Sequence, residues 1–76
     1  MERTSYKRFV IEAVPDQLSN GHWMVNLFIE NHHGSHIDVR QFNAANTFPT
    51  REEAALHCVI FGQQIIDGKV PSCSLG

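Results

Sequence analysis

A chain of 76 residues allows one domain with a small core. Its hydrophobic fraction of 42% and charged fraction of 18% are ordinary for a folded domain and argue against disorder. The net charge of −2 argues against nucleic acid and against an anionic membrane surface as partners. We expect one domain over residues 1–76, with an ordered core at about 6–68 and flexible termini at 1–5 and 69–76.

The chain shows no sign of a membrane segment or of export. No run approaches the roughly 18 apolar residues that a transmembrane helix needs. The N-terminal residues are polar with no apolar run behind them, unlike a signal peptide. Cys58 and Cys73 do not make a disulfide framework and are expected to be free thiols. We therefore expect a cytoplasmic protein without a cofactor.

The first predicted strand covers residues 6–14. Phe9, Ile11 and Ala13 recur at every second position, which is typical of a strand with one buried face. Pro15 cannot continue a ladder of hydrogen bonds, and the Asn-Gly pair before His22 favours positive φ. Residues 15–21 are therefore predicted to form a connecting loop.

The strongest strand pattern follows at 22–30, and we expect it to be the central strand. Its large apolar side chains alternate with other residues, and those predicted to face the core are Trp23, Val25, Leu27 and Ile29.

The third predicted strand begins at His36, after a turn at 31–35 in which Gly34 is available for a left-handed conformation. Ile37 and Val39 are predicted to point toward the core. Phe42 has the opposite parity, so it is buried only if a bulge near Arg40 or Gln41 turns it inward.

A helix is predicted from Arg51 to about Asp67. Thr50 and Glu53 have the spacing of a capping box at its start, and Gly68 suits its end. Gly62 costs about 1 kcal/mol relative to alanine in a helix, so its position on the buried side indicates close packing. The predicted buried arc comprises Phe61, Ala54, Ile65, Cys58, Gly62, Ala55, Ile66 and Val59.

These elements predict an α+β fold, a three-stranded antiparallel β-meander with one C-terminal α-helix packed on one face (β-β-β-α). A Trp-bearing strand, then Phe48-Pro49-Thr50-Arg51-Glu52-Glu53-Ala54, then a helix ending in Gly-x-x-Ile-Ile-Asp-Gly resembles small bacterial proteins of unknown function built from three strands and a helix. The resemblance covers roughly residues 6–70 and implies a fold but no activity. The order of elements is also similar to the later part of a double-stranded-RNA-binding domain, without its first helix and its lysine cluster.

Two groups of side chains contain residue types that could carry chemistry. His32, His33 and His36 lie in and beside one turn, where imidazoles could hold Zn²⁺ or Ni²⁺, but their spacing matches no established site, and we expect solvated histidines. His57 and Cys58 are adjacent, yet neighbouring helical residues point about 100° apart, and a buried thiol is inert. We therefore predict no catalytic residues, no metal ligands and no enzymatic activity.

Two predicted surfaces could serve in binding. Arg8, Arg40, Tyr6 and Phe28 would combine cations with rings on one sheet face, as in single-strand binders, so a weak nucleic-acid-binding module is the alternative function. The preferred hypothesis is a non-enzymatic protein-interaction or accessory module that contacts an unknown protein or forms a homodimer. Its predicted contact residues are the apolar side chains that one helix cannot cover, namely Val10, Met24, Phe28, Leu56 and Ile60.

Overall fold

The computed structural model describes residues 2–73 and shows an antiparallel sheet with one helix after it. The predicted α+β class is confirmed, but the described sheet has five strands where three were predicted. The predicted flexible termini, 1–5 and 69–76, fall partly outside the described residues. The elements are β1 Glu2–Tyr6, β2 Phe9–Ala13, β3 Asp16–Gln17, β4 Trp23–His33, β5 His36–Phe48 and α1 Arg51–Ile66.

The first hairpin covers residues 2–13, where the sequence predicts a terminal segment at 1–5 followed by one strand at 6–14. Strands β1 and β2 pair from Tyr6 opposite Phe9, and Lys7 and Arg8 form the turn between them. Lys7 has φ 55°, a left-handed conformation that non-glycine residues seldom adopt. The segment contains no glycine, proline or asparagine, so residue type alone does not indicate a turn there.

Strands β2 and β3 form one line along β4. Phe9 lies opposite Asn31 and Asp16 opposite Met24, which is the same register on both sides of the interruption. The interruption falls at Pro15, which has no N–H to give to the ladder. The connecting loop predicted at residues 15–21 is therefore shorter than expected, because Asp16 and Gln17 belong to the sheet.

The hairpin of β4 and β5 decides which side chains face the helix. His33 pairs with His36, so Gly34 and Ser35 alone form the turn, and Gly34 has φ 57°. This pairing places Phe42 opposite Leu27 on the helix side, where Phe42 packs against the core. A two-residue turn fixes the register of the whole hairpin.

The predicted inward positions of Ile37 and Val39 are wrong. Their partners are His32 and Glu30, and they are 57% and 55% exposed on the side away from the helix. The irregularity in β5 also lies elsewhere than expected. Ala45 and Asn46 interrupt the pairing between Val25–Ala44 and Met24–Thr47, whereas the pairing is regular at residues 40 and 41.

The helix has the predicted caps. The Thr50 side chain accepts a hydrogen bond from the Glu53 N–H at 3.2 Å. At the other end Gly68 has φ 74°, its N–H donates to the Ile65 carbonyl, and the Lys69 N–H donates to the Gln64 carbonyl. These two bonds define a Schellman motif, which ends the helix where the glycine permits a left-handed residue.

The core lies between α1 and the central strands, as the alternating apolar residues of β4 and the apolar arc of α1 predict. In β4, Val25, Leu27 and Ile29 are at most 2% exposed. Trp23, predicted with them, is half-buried at the start of β4. The buried helix residues are Ala54, Ala55, Cys58, Gly62 and Ile65, all of which belong to the predicted arc.

The helix crosses the sheet diagonally and leaves one corner uncovered. Three contacts fix this path: His57 stacks on Phe48 of β5 with ring centroids 4.2 Å apart, Gly62 lies against Ile11 of β2, and Asp67 accepts a hydrogen bond from Tyr6 of β1. Since α1 starts over the end of β5 and finishes over the β1–β2 turn, residues 36–41 of β5 are exposed.

Candidate contact surface

The face of the sheet away from α1, termed the open face, carries three of the predicted contact residues. Val10, Met24 and Phe28 lie on it and are half-buried. Ile37 and Val39 share this face through their pairing with β4, and both are more than half exposed. The apolar surface is therefore most accessible on β5, at two residues that were predicted to be core.

An ion-pair cluster divides the open face. The Arg3 guanidinium donates two hydrogen bonds to the Glu30 carboxylate, at 3.0 and 3.1 Å, and lies 3.7 Å from the nearest oxygen of Glu12. The bonds from Arg3 lower the pKa of Glu30, and a contact with His32 acts in the same direction. Glu30 lies between Val10 and Val39 across the strands, so the apolar residues do not form one unbroken patch.

The other two predicted contact residues belong to a separate surface. Leu56 and Ile60 lie one turn apart on α1 and are 59% and 38% exposed. The helix packs on the opposite side of the sheet from Val10, Met24 and Phe28. One flat contact cannot include both groups, so the structure divides the predicted site into a sheet surface and a helix surface.

A second polar cluster ties the first hairpin to the helix end. The Tyr6 hydroxyl donates to Asp67 Oδ2 at 2.8 Å, and the Lys7 ammonium donates to the other oxygen of the same carboxylate. The bond from Lys7, followed by the bond from Tyr6, lowers the pKa of Asp67. The pKa of Tyr6 and that of Lys7 are raised in return, chiefly by the same hydrogen bonds. This cluster links the β1–β2 turn, which contains the left-handed Lys7, to the C-terminal end of α1.

The histidines of the second hairpin do not converge. His33 and His36 are opposite each other, while the neighbouring His32 points to the open face and lies 3.2 Å from Glu30. His33 lies 3.3 Å from Asp38. Among residues 2–73, no three His, Cys, Asp or Glu side chains are grouped so that they could hold a metal ion.

The adjacent His57 and Cys58 point to different surroundings, as the helical spacing predicts. The Cys58 side chain is fully buried and its thiol donates to the Asn26 carbonyl at 3.3 Å, whereas His57 is exposed and stacked on Phe48. The thiol and the imidazole therefore do not form a nucleophile–base pair.

The ring-and-cation surface predicted for nucleic acid is not assembled. Arg40 lies opposite Ile29 on the helix side of the sheet, and Tyr6 points to the same side, whereas Phe28 lies on the open face. Arg8 is in the β1–β2 turn. These four side chains therefore do not share a surface on which bases could stack.

Two shallow clefts lie on the described surface. One, of about 300 Å³, lies between α1 and β5 and includes His57, Ile60 and Gln64. The other, of about 420 Å³, lies between the β1–β2 turn and the end of β4 and includes Arg8 and His33. Within residues 2–73, no buried side-chain nitrogen or oxygen lacks a hydrogen-bond partner, so neither cleft contains a buried polar group awaiting a ligand.

Comparison of the chain with family models, with curated proteins and with solved structures finds no match. The resemblance to small bacterial proteins of three strands and a helix therefore stays a prediction. In the part of the chain that the structure describes, no helix is long and apolar enough to cross a membrane.

Proposed function

We propose that this chain is a non-enzymatic protein-interaction module and that its contact surface is the open face at β5. The observation that carries the proposal is the exposure of two large apolar side chains on that face, Ile37 and Val39, at 57% and 55%. They alternate along one strand, so their side chains are neighbours on the same face. Adjacent exposed apolar residues on an uncovered sheet face are typical of surfaces that another protein covers.

The sheet surface is preferred to the helix surface for a physical reason. Phe28, half-buried on β4, extends the apolar area from Val39 toward the centre of the sheet. Leu56 and Ile60 are a pair on a single helix, and isolated exposed apolar residues are ordinary in folded proteins. The predicted contact residues Val10 and Met24 are half-buried on the same face but lie apart from this pair, since Glu30 separates Val10 from Val39 and Met24 lies opposite Thr47 near the other end of β5.

Matched double variants test the proposal. Ile37→Lys with Val39→Lys places charge on the sheet surface, and Leu56→Lys with Ile60→Lys does the same on the helix surface. Each change at an exposed site alters stability by only about 0.5 kcal/mol, so both proteins should fold. Sedimentation velocity and affinity capture with tagged protein then compare both with the wild type.

We expect the sheet variant to lose self-association, or the captured protein, and the helix variant to keep it. If the helix variant loses the contact and the sheet variant keeps it, the surface is misassigned. The proposed function is refuted if the wild type does not self-associate and captures no protein that the sheet variant fails to capture.

A further inference from the structure

We propose that the partner of this surface is a second copy of the chain, joined through the free edge of β5 in an antiparallel pairing centred on Val39. The inference rests on the proposed function and names its partner. Within residues 2–73, β5 pairs only with β4, so its other edge is unpaired by any described strand. An unpaired edge strand presents N–H and C=O groups that can pair with another strand.

The backbone shows which residues of β5 point to that free edge. The Asn26 carbonyl accepts the Val14 N–H at 2.9 Å, so the even-numbered residues of β4 bond to the β2 side. The odd-numbered residues of β4 then bond to β5, where their partners are even-numbered. The backbone groups of Ile37, Val39 and Gln41 therefore point away from β4, toward a further strand.

The edge is regular over a length sufficient for pairing. From His36 to Ala44 the pairing with β4 is uninterrupted, and the irregularity at Ala45 and Asn46 lies beyond this stretch. The stretch contains no proline and no lysine, which are residues that natural sheets use to block such edges. On the opposite side of the sheet, the described outer strands are shorter, with five residues in β1 and two in β3.

Charge selects the register. Asp38 and Arg40 have the same parity, and they are the charged residues between His36 and Ala44. When Val39 lies opposite Val39 of the second copy, Asp38 of each copy lies opposite Arg40 of the other. Both pairs are of the type without direct backbone bonds, in which opposing side chains are closest.

The neighbouring registers are penalised by the same residues. A shift of the axis by one residue in one direction places Asp38 opposite Asp38, and a shift in the other direction places Arg40 opposite Arg40. Like charges directly opposite each other destabilise a strand pair. Asp38 already lies 3.3 Å from His33, but its carboxylate has two oxygens and is well exposed, so a guanidinium can reach it.

The same pairing covers the exposed apolar residues. Val39 meets its own copy at the axis, and Ile37 of the other chain lies diagonally next to it. Four side chains that are separately exposed thus form a continuous apolar strip across the seam, on the open face. The two-fold axis runs perpendicular to the sheet, so both helices lie on the same side of one continuous antiparallel sheet.

Charge reversal provides a test specific to this register. Asp38→Arg leaves arginine at both positions 38 and 40, and Arg40→Asp leaves aspartate at both, so each variant alone opposes like charges at both positions. Mixed together, the two variants oppose unlike charges at both positions. The double variant Asp38→Arg with Arg40→Asp also restores opposite charges in a homodimer.

Sedimentation equilibrium with native mass spectrometry distinguishes the outcomes. We expect a wild-type dimer, single variants weakened at least tenfold in association, a heterodimer in the mixture, and a homodimer of the double variant. Circular dichroism confirms that each single variant is folded.

Two results overturn the edge dimer: a wild type that stays monomeric up to the highest concentration, or single variants that associate as the wild type does. Neither result decides the proposed function. That proposal fails if the wild type neither self-associates nor captures another protein, or if the Ile37→Lys, Val39→Lys protein keeps every contact the wild type makes.

Discussion

Gly62 of the helix lies directly against Ile11 of the sheet, and Gly62→Ala measures how tight that contact is. A Cβ added there would lie 2.9 Å from both Ile11 Cδ1 and Ile11 Cγ2, and 3.1 Å from Cγ1. Contacts below 3.0 Å cannot be accommodated without movement, and Ile11 is fully buried. The new methyl group therefore has to displace a packed side chain or lift the helix.

Two opposing terms set the size of the effect. Alanine is favoured over glycine inside a helix by about 1 kcal/mol. Overpacking a well-packed core costs about 1–3 kcal/mol. We expect Gly62→Ala to lower the free energy of unfolding by about 1 kcal/mol, which in a domain of this size lowers Tm by roughly 4–8 °C.

Denaturant unfolding followed by circular dichroism gives the free energies, and position 56 supplies the control. Leu56 is 59% exposed, so the difference between Leu56→Ala and Leu56→Gly reports helix propensity in α1 without a packing change. Ile11→Val removes the Cδ1 atom and normally costs about 0.5–1.5 kcal/mol, but should cost less in the Gly62→Ala background. The reasoning is refuted if Gly62→Ala stabilises the protein by the full propensity difference measured at position 56.

Three further predictions concern the polar clusters and the thiols. The pKa of Asp67 is lowered in the folded protein, so its carboxylate contributes to the free energy of unfolding. This contribution is complete above the unfolded pKa of about 3.9 and is lost as pH falls through the folded pKa. Asp67→Asn should therefore make the free energy of unfolding less dependent on pH in the acid range. Arg3→Gln should raise the pKa of Glu30 in a carboxyl NMR titration, since two guanidinium hydrogen bonds are lost, and an unchanged titration contradicts this. Thiol labelling with peptide mapping should modify Cys73 first and Cys58 only on unfolding, whereas equal rates would show that the buried thiol is accessible.

The helix and the central strand could be predicted because several signals agree on them. The capping residue Thr50 and the terminal Gly68 mark the two ends of α1, and its apolar arc matches the buried side. In β4, Val25, Leu27 and Ile29 alternate as a half-buried strand requires. Local preference and burial therefore point to the same structure in both elements.

The face assignment of β5 failed because it depends on one turn. A two-residue turn at Gly34 and Ser35 places odd residues of β4 opposite even residues of β5, whereas a five-residue turn leaves the parity open. A slip of one residue exchanges the two faces of a strand, so the sequence pattern places Ile37 and Val39 inward and allows Phe42 on either face. In a regular strand Phe42 lies on the opposite face from Ile37 and Val39. A large aromatic residue at that parity was the available sign that the even-numbered residues of β5 face the core.

The first hairpin and the sheet surface had no comparable local signal. The turn at Lys7 includes a contact with Asp67, which is 60 residues away along the chain. A tertiary contact of this kind overrides the weak turn preference of the residues themselves. The exposure of Ile37 and Val39 follows from the register of the β4–β5 hairpin. Hydrophobicity alone does not distinguish these two residues from core residues.

The location of the contact surface is the central claim, and amide chemical shifts test it directly. The backbone spectrum of the labelled chain would be recorded as its concentration rises, and again on addition of any captured partner. We expect the shift changes to centre on Ile37 and Val39 and to leave Leu56 and Ile60 unaffected. Changes centred on the helix pair, or a spectrum that does not change under either condition, would contradict the claim.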